Sequence, residues 1–232
     1  MDDNIQRILS KHQHADGLIG LWPNNQMLET VSYDFGPNQG HGTHYDVANR
    51  YRMDRSRGHY MNASGYNWKS ASYTDILTAP LIANFDADAG AAFVFCKTDA
   101  AWGELANRYA LYLEDGDGDN IFMRKDTVNG RLYYRHDVGG RSLSMAVDGM
   151  TTTGWFCMAM MWDRLVNAEV RIYLDGVYDS RGTNPGISGG ADLVVAQIGR
   201  ETIWDSWYGG LGINALYNQT KTDDEMLKLS TP

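Results

Sequence analysis

The densest group of possible ligands in this sequence is Glu114-Asp-Gly-Asp-Gly-Asp-Asn120. Asp115, Asp117 and Asp119 alternate along it, and Asp126 falls where the twelfth residue of a calcium loop would stand. Calcium takes about six to eight hard oxygens, and such a string can supply several of them. It departs from an EF-hand at Asn120, which holds the glycine position, and at Asp126, which is shorter than the usual glutamate. The same string also reads as a solvated turn built on two Asp-Gly steps. The expectation is that no cofactor is required and that any bound metal is calcium, held by Asp115, Asp117, Asp119 and Asp126.

Softer ligands are sparse. His41-x-x-His44 has no third ligand nearby in sequence, and His12 and His14 are too close in sequence to share one helix face. Cys96 and Cys157 sit in the apolar contexts AFVFCK and WFCMAM, which suit packed thiols; a disulfide requires that their strands be neighbours. No serine, histidine or cysteine stands in a G-x-S-x-G or related nucleophile context.

Recognition residues are more abundant. Arg50, Arg52, Arg55 and Arg57 form a basic island, interleaved with Tyr45, Tyr51, Tyr60, Tyr66, Trp68 and Tyr73. Arginine and tyrosine together are enriched where proteins meet partners. Trp204, Trp207 and Tyr208 flank a second polar turn, ETIWDSWYGG. Exposed rings there would stack against sugars or anchor a protein, whereas buried ones would pack the core. The candidate binding set is therefore Tyr45, Arg50, Tyr51, Arg52, Arg55, Trp68, Trp204, Trp207 and Tyr208. The stretch 45–73 is expected to contact protein in a larger assembly. The competing reading pairs its arginines with acidic loops of the same fold.

These residues need a scaffold, and the chain's 232 residues suffice for one large domain. A net charge of -9 repels phosphate backbones, so nucleic acid is an unsuitable partner. Apolar runs such as Ala91–Cys96 are far too short to cross a bilayer. The opening MDDNIQRILSKHQH lacks a signal peptide's apolar core, so synthesis in a reducing compartment is expected. Short β-rich runs recur between Gly, Asp, Asn and Ser clusters, among them GLIGLW (17–22), YALYL (109–113), RLYYRH (131–136) and VRIYLDG (170–176). That rhythm predicts an all-β sandwich. Asp175-Gly176 supplies the positive φ angles of a two-residue hairpin. Trp155, Trp162, Ile172, Leu174, Val194 and Ile198 are expected to lie buried between the sheets.

Helix signals stand at the two ends. Asp3 precedes Ile5, Ile8 and Leu9, and Thr222-Asp-Asp-Glu225 has the form of a capping box before Met226, Leu227 and Leu229. The division expected is a helical arm over 1–16 and a sandwich over 17–232, with an irregular insert near 45–73.

The order of features over 154–229 resembles the laminin-G-like branch of the concanavalin A-like lectin/glucanase superfamily. It runs from a strand opening at Trp155 through the YLDG hairpin, the LVVAQIG strand and WYGGLGINALYN to the capped TDDEMLKL turn. GLIGLW and DFGPNQGHGTHYD (34–46) resemble the family's first strand and following loop. The resemblance implies a jelly roll of two curved antiparallel sheets. Glucanases of that superfamily carry paired acids as E-x-D-x-x-E or E-x-D-x-x-x-E, a strand spacing suited to retaining hydrolysis. Here Gly116 stands where Glu114 would need its partner, so a non-enzyme is expected. Family members bind calcium at a sandwich rim, which makes Asp86 and Asp88 a second candidate pair. Modules of this kind occur in bacteriophage virion proteins. The resemblance thus implies an assembly or adhesion role at a virion surface, as a decoration, fibre or tail accessory protein, within an oligomer or larger assembly. Its partners would be other virion proteins or surface glycans. A free-standing lectin and a glycoside hydrolase with an atypical site are the alternatives.

Overall fold

In the strand Leu132-Tyr-Tyr-Arg-His-Asp, Leu132, Tyr134 and His136 are buried, while Tyr133, Arg135 and Asp137 face the other way. This two-residue period builds the whole architecture. The computed structural model describes residues 3–23, 31–45, 53–54, 58–61, 73–138, 141–164, 166–183, 192–200 and 205–231. The strands are β1 (Leu18–Trp22), β2 (Val31–Ser32), β3 (Gly42–Tyr45), β4 (Met53–Asp54), β5 (Gly58–Met61), β6 (Tyr73–Asp75), β7 (Ala89–Thr98) and β8 (Arg108–Asp115). They continue as β9 (Asn120–Lys125), β10 (Leu132–Val138), β11 (Arg141–Val147), β12 (Phe156–Asp163), β13 (Glu169–Leu174), β14 (Val177–Thr183), β15 (Leu193–Ile198) and β16 (Gly209–Tyr217). Among the described residues three helices accompany them: α1 (Asp3–Gln13), α2 (Ala79–Asn84) and α3 (Asp223–Ser230).

Among the described residues the strands form two antiparallel sheets of eight each. Sheet A runs β14-β13-β12-β7-β16; the far edge of β16 is then shared by β5, which leads to β4, and by β1. Sheet B runs β11-β10-β9-β8-β15-β6-β3-β2. The chain is an all-β jelly-roll sandwich, as expected. Its core lies between the sheets, with Trp22, Trp162 and Trp207 fully buried. Trp162 packs where Gly90, its register partner on β7, leaves room; a Cβ there would come within 2.3 Å of the indole.

Trp162, Ile172 and Ile198 are buried, whereas Trp155 and Leu174 are only half-buried. Val194 corrects the expectation outright, being 49% exposed. A register shift between Leu193 and Val195 puts Leu193 inside and turns Val194 out, so strict alternation fails at this bulge.

The cysteines are free. Their strands do pair, with Phe156 opposite Cys96 and Cys157 opposite Phe95. Cys96 nevertheless points into the sandwich and Cys157 toward the helices, so the pleat separates them. Burial raises both thiol pKa values.

The hairpin after β13 has Asp175 at φ 51° and Gly176 at φ 77°, the two positive values a type I′ turn requires. In the opening loop, the buried Asp34 carboxylate accepts backbone N–H groups from Leu21, Gly36 and Gly40 at 2.7–2.8 Å. One side chain therefore ties this loop to β1.

Helix α1 docks through Ile8, Leu9 and His12, and α3 through Met226 and Leu229. The capping box is formed by Thr222 and Glu225. Helix α2 corrects the expectation that helices stand only at the ends. Thr78 caps it and Pro80 lies in its first turn, but six residues are too few to display an apolar period. The stretch expected to be irregular contains the strands β4 and β5, which extend sheet A. Arg50, Tyr51, Arg52, Arg55, Trp68 and Trp204 lie outside the described residues.

Candidate functional site

A sandwich has two outer faces, and here they differ. That of sheet A is apolar and packed against α1 and α3. That of sheet B carries side chains of another kind. Tyr109, Tyr112 and Phe122, only 3–5% exposed, form a buried cluster extended by the half-buried Tyr133 and Val195. The guanidinium of Arg124 lies 5.3, 5.1 and 4.7 Å from the ring centres of Tyr109, Phe122 and Tyr133. It also donates to the Tyr109 hydroxyl at 2.7 Å and to Asp126 at 3.3 Å. The Tyr112 hydroxyl donates to Glu114, and Arg135 pairs with Asp137.

Register aligns these residues in rows across the sheet. One row reads Thr43, Asp75, Gln197, Tyr112, Phe122, Arg135 and Ser144. Beside it, Tyr45 on β3 stands opposite Tyr73 on β6. Their rings are parallel within 5° with centres 4.6 Å apart, and Arg200, just past β15, places its guanidinium 3.3 Å from the Tyr73 ring centre. Since β6 lies between β3 and β15, Tyr73 is held between a ring and a cation. Burial raises the Tyr73 pKa, with Arg200 opposing the shift; burial also lowers that of Arg200.

Of the candidate binding residues, Tyr45 belongs to this face and is 43% exposed. Trp207 does not. It is fully buried, with its indole N–H donating to the carbonyls of Lys97 and Gly210, so it is a packing residue. Tyr208 is half-buried, and its carbonyl accepts the backbone N–H of Asp99. Tyr60 lies on β5. The rings of β8, β9 and β10 were not among the candidates. Their signal was available in part in the off-core parity of three successive strands, which reads Tyr112-Glu114, Asn120-Phe122-Arg124 and Tyr133-Arg135-Asp137; Tyr109 joins them only through the irregularity between Tyr109 and Leu111.

The four acids proposed for calcium do not converge. Asp115 is buried and accepts the backbone N–H groups of Asp117 and Asp119 at 2.9 and 3.0 Å, closing its own turn. Asp126 lies beyond the far end of β9, about 20 Å away along a six-residue strand, where it meets Arg124 and Arg131. Asp86 accepts the N–H groups of Asp88 and Ala89, and Asp88 pairs with the buried Arg164 at 3.1 Å. Among the described residues, no group of three or more His, Cys, Asp or Glu side chains is placed to hold a metal. His41 is exposed while His44 is buried against Thr74, on opposite sides of β3.

No protein-family model matches the sequence, and neither does any curated protein. Solved structures do share the fold. The binding domain of botulinum neurotoxin DC in complex with rat synaptotagmin II is 9% identical, with a TM-score of 0.73 over 92% of this chain. A Trypanosoma rangeli sialidase in complex with the inhibitor DANA is 14% identical, with a TM-score of 0.67 over 94% of this chain and 33% of its own. The Ruminococcus gnavus IT-sialidase CBM40 is 13% identical, with a TM-score of 0.53 over 82% of this chain and 92% of its own. The chain spans about half the length of the toxin binding domain, 51%. At these identities the likeness is one of fold.

Proposed function

We propose that this protein is a non-catalytic recognition module that binds glycans on the outer face of sheet B. The carrying observation is the asymmetry of the sandwich: helices occupy one outer face, and rows of tyrosine, phenylalanine and arginine occupy the other. The exposed Tyr45 and half-buried Tyr133 present the rings that bury the C–H faces of sugars, over a buried floor of Tyr109, Tyr112 and Phe122, and flanking guanidinium, amide and carboxylate groups bond their hydroxyls. The acids on or beside this face support a binding role, since Glu114 is tied to Tyr112 and Asp115 to its own turn. Two of the fold neighbours are a toxin's binding domain and the CBM40 of a sialidase, which agrees with this reading.

The setting comes from the laminin-G-like resemblance. It is adhesion or assembly at a bacteriophage virion surface, with stretch 45–73 contributing a contact to other virion proteins. Mass spectrometry of purified particles tests that setting, and absence of the chain from them rejects it. The binding function is tested on a glycan array with the purified protein. Binding is expected, with loss in Tyr133→Ala and Gln197→Ala at unchanged melting temperature, and retention in Leu227→Ala on the opposite side. A blank array, or binding indifferent to both face variants, overturns the proposal.

A further inference from the structure

Among the described residues, the exposed aromatic side chains of sheet B gather at its β2–β3 end. Along β3, His41, Thr43 and Tyr45 all face outward and are exposed; on the neighbouring β2 segment so are Val31 and Tyr33, at 36% and 41%. Val31 stands opposite Thr43, and the Tyr33 ring meets the His41 ring edge-on at 5.2 Å. Two aromatic stations thus flank a small polar residue. One is Tyr33 with His41, the other Tyr45, and four residues of strand separate them by about 13 Å.

Both stations are held in place. His41 accepts the backbone N–H of Asp34 at 3.1 Å, and Asp34 is the carboxylate that anchors the loop. Tyr45 is backed by Tyr73 and then by Arg200. Rings fixed in this way lose little freedom on binding. Between the stations Thr43 offers a hydroxyl, and Asp75, its register partner, offers a half-buried carboxylate.

We infer that β2 and β3 form an extended subsite for a neutral oligosaccharide, with one sugar stacked on Tyr45, another on Tyr33, and Thr43 and Asp75 bonding hydroxyls between them. The spacing of about 13 Å exceeds a single pyranose and fits a short run of linked sugars. Hydroxyl-bonding groups set between the rings favour a sugar over an apolar peptide, whose docking surface would have a dry centre. The neutral class follows from charge: Asp75 offsets Arg200 beside the subsite, and the chain carries -9 overall, which repels anionic sugars. This subsite rests on the glycan reading above and narrows it.

The test is titration calorimetry with the tetrasaccharides of β-1,4-glucan, α-1,4-glucan and β-1,4-galactan, their disaccharides, and α2,3-sialyllactose. At least one neutral tetrasaccharide is expected to bind about tenfold more tightly than its disaccharide. Tyr33→Ala and Tyr45→Ala should each reduce affinity about tenfold, and Tyr45→Phe should retain it. Should an alanine variant melt early, Thr43→Arg blocks the middle of the subsite without removing a ring, and it too should abolish binding. Binding that ignores these variants yet falls in Tyr133→Ala overturns the subsite and leaves the glycan-binding face intact. Preference for sialyllactose overturns the neutral class. No binding of any sugar here, together with a blank array, overturns both.

Discussion

Lowering the pH from 7.5 to 5 should destabilise this protein, and two histidines set the amount. His12 is fully buried on the outer side of sheet A among Phe93, Phe95 and Tyr217, with its Nδ1 2.7 Å from the Tyr217 hydroxyl. Burial drives its pKa down to about 3, and the charges of Lys11 and Lys221 add to the effect; the backbone of Leu229 opposes it. His136 is fully buried beneath Trp162, and burial followed by the charge of Arg164 also lowers it to about 3. Folded pKa values below the unfolded value mean that the unfolded chain binds the protons first. The stabilisation is complete above about pH 6.5 and is lost as pH falls toward 3. At pH 5 each histidine costs about 2 kcal/mol, so the pair costs about 4 kcal/mol, against a typical total of about 5–15 kcal/mol. Asp34 and Asp175, raised by burial, act in the opposite direction but start from the carboxylate range. The window from pH 6.5 to 5 therefore belongs to the histidines. Urea unfolding followed by tryptophan fluorescence at four pH values measures the slope, expected near 2.7 kcal/mol per pH unit below pH 6. His12→Gln, which can still accept from Tyr217, should roughly halve it. A flat wild-type profile, or a His12→Gln profile parallel to wild type, refutes the reasoning.

Removing the Asp34 carboxylate by Asp34→Ala strands three buried N–H groups, and urea unfolding should register a loss of roughly 3–5 kcal/mol. Gly209 has φ 138°, and a Cβ there would lie 2.1 Å from the Lys97 carbonyl. Gly209→Ala should therefore cost at least about 2 kcal/mol, and a melting temperature within a degree of wild type would contradict the clash. Both thiols should resist iodoacetamide in native protein and react in urea, with reductant leaving the melting temperature unchanged; a reductant-sensitive melt would reveal a disulfide that the pleat forbids.

Much of the sandwich was legible because period-two alternation and turn residues act locally. The Asp175-Gly176 hairpin and the Thr222 capping box both formed where their residues stand. What escaped depends on non-local facts. Val194 alternates with buried neighbours on paper, and only the bulge formed against β8 turns it outward. Cys96 and Cys157 have similar surroundings in sequence; the cross-strand register decides that they face opposite ways. Trp207 lies in a polar, glycine-rich string that suggests a surface turn, yet carbonyls of β7 and β16 satisfy its N–H in the core. Asp126 looked like a twelfth ligand by counting, but β9 carries it away from the acidic turn. The aromatic cluster on the outer side of sheet B escaped because its rings come from strands that look like ordinary core. They became a set only once β8, β9 and β10 were aligned side by side.

The shared edge of β16 has a consequence for the order of folding. This strand, drawn from near the carboxyl end, templates β7 on one side and both β1 and β5 on the other. Before it is in place, β12 is the one neighbour of β7 among the described strands, and β1 and β5 have no seat in sheet A. A chain emerging from the ribosome thus carries an apolar β7 that is unpaired until β12 follows and half-paired until β16 does, the kind of open edge that recruits other chains. Closure then joins strands from opposite ends of the sequence, contacts of high order that form slowly. Refolding yield should fall with concentration more steeply than the stability of the finished sandwich implies, and shortening the chain ahead of Gly209 should leave aggregates in place of a smaller domain.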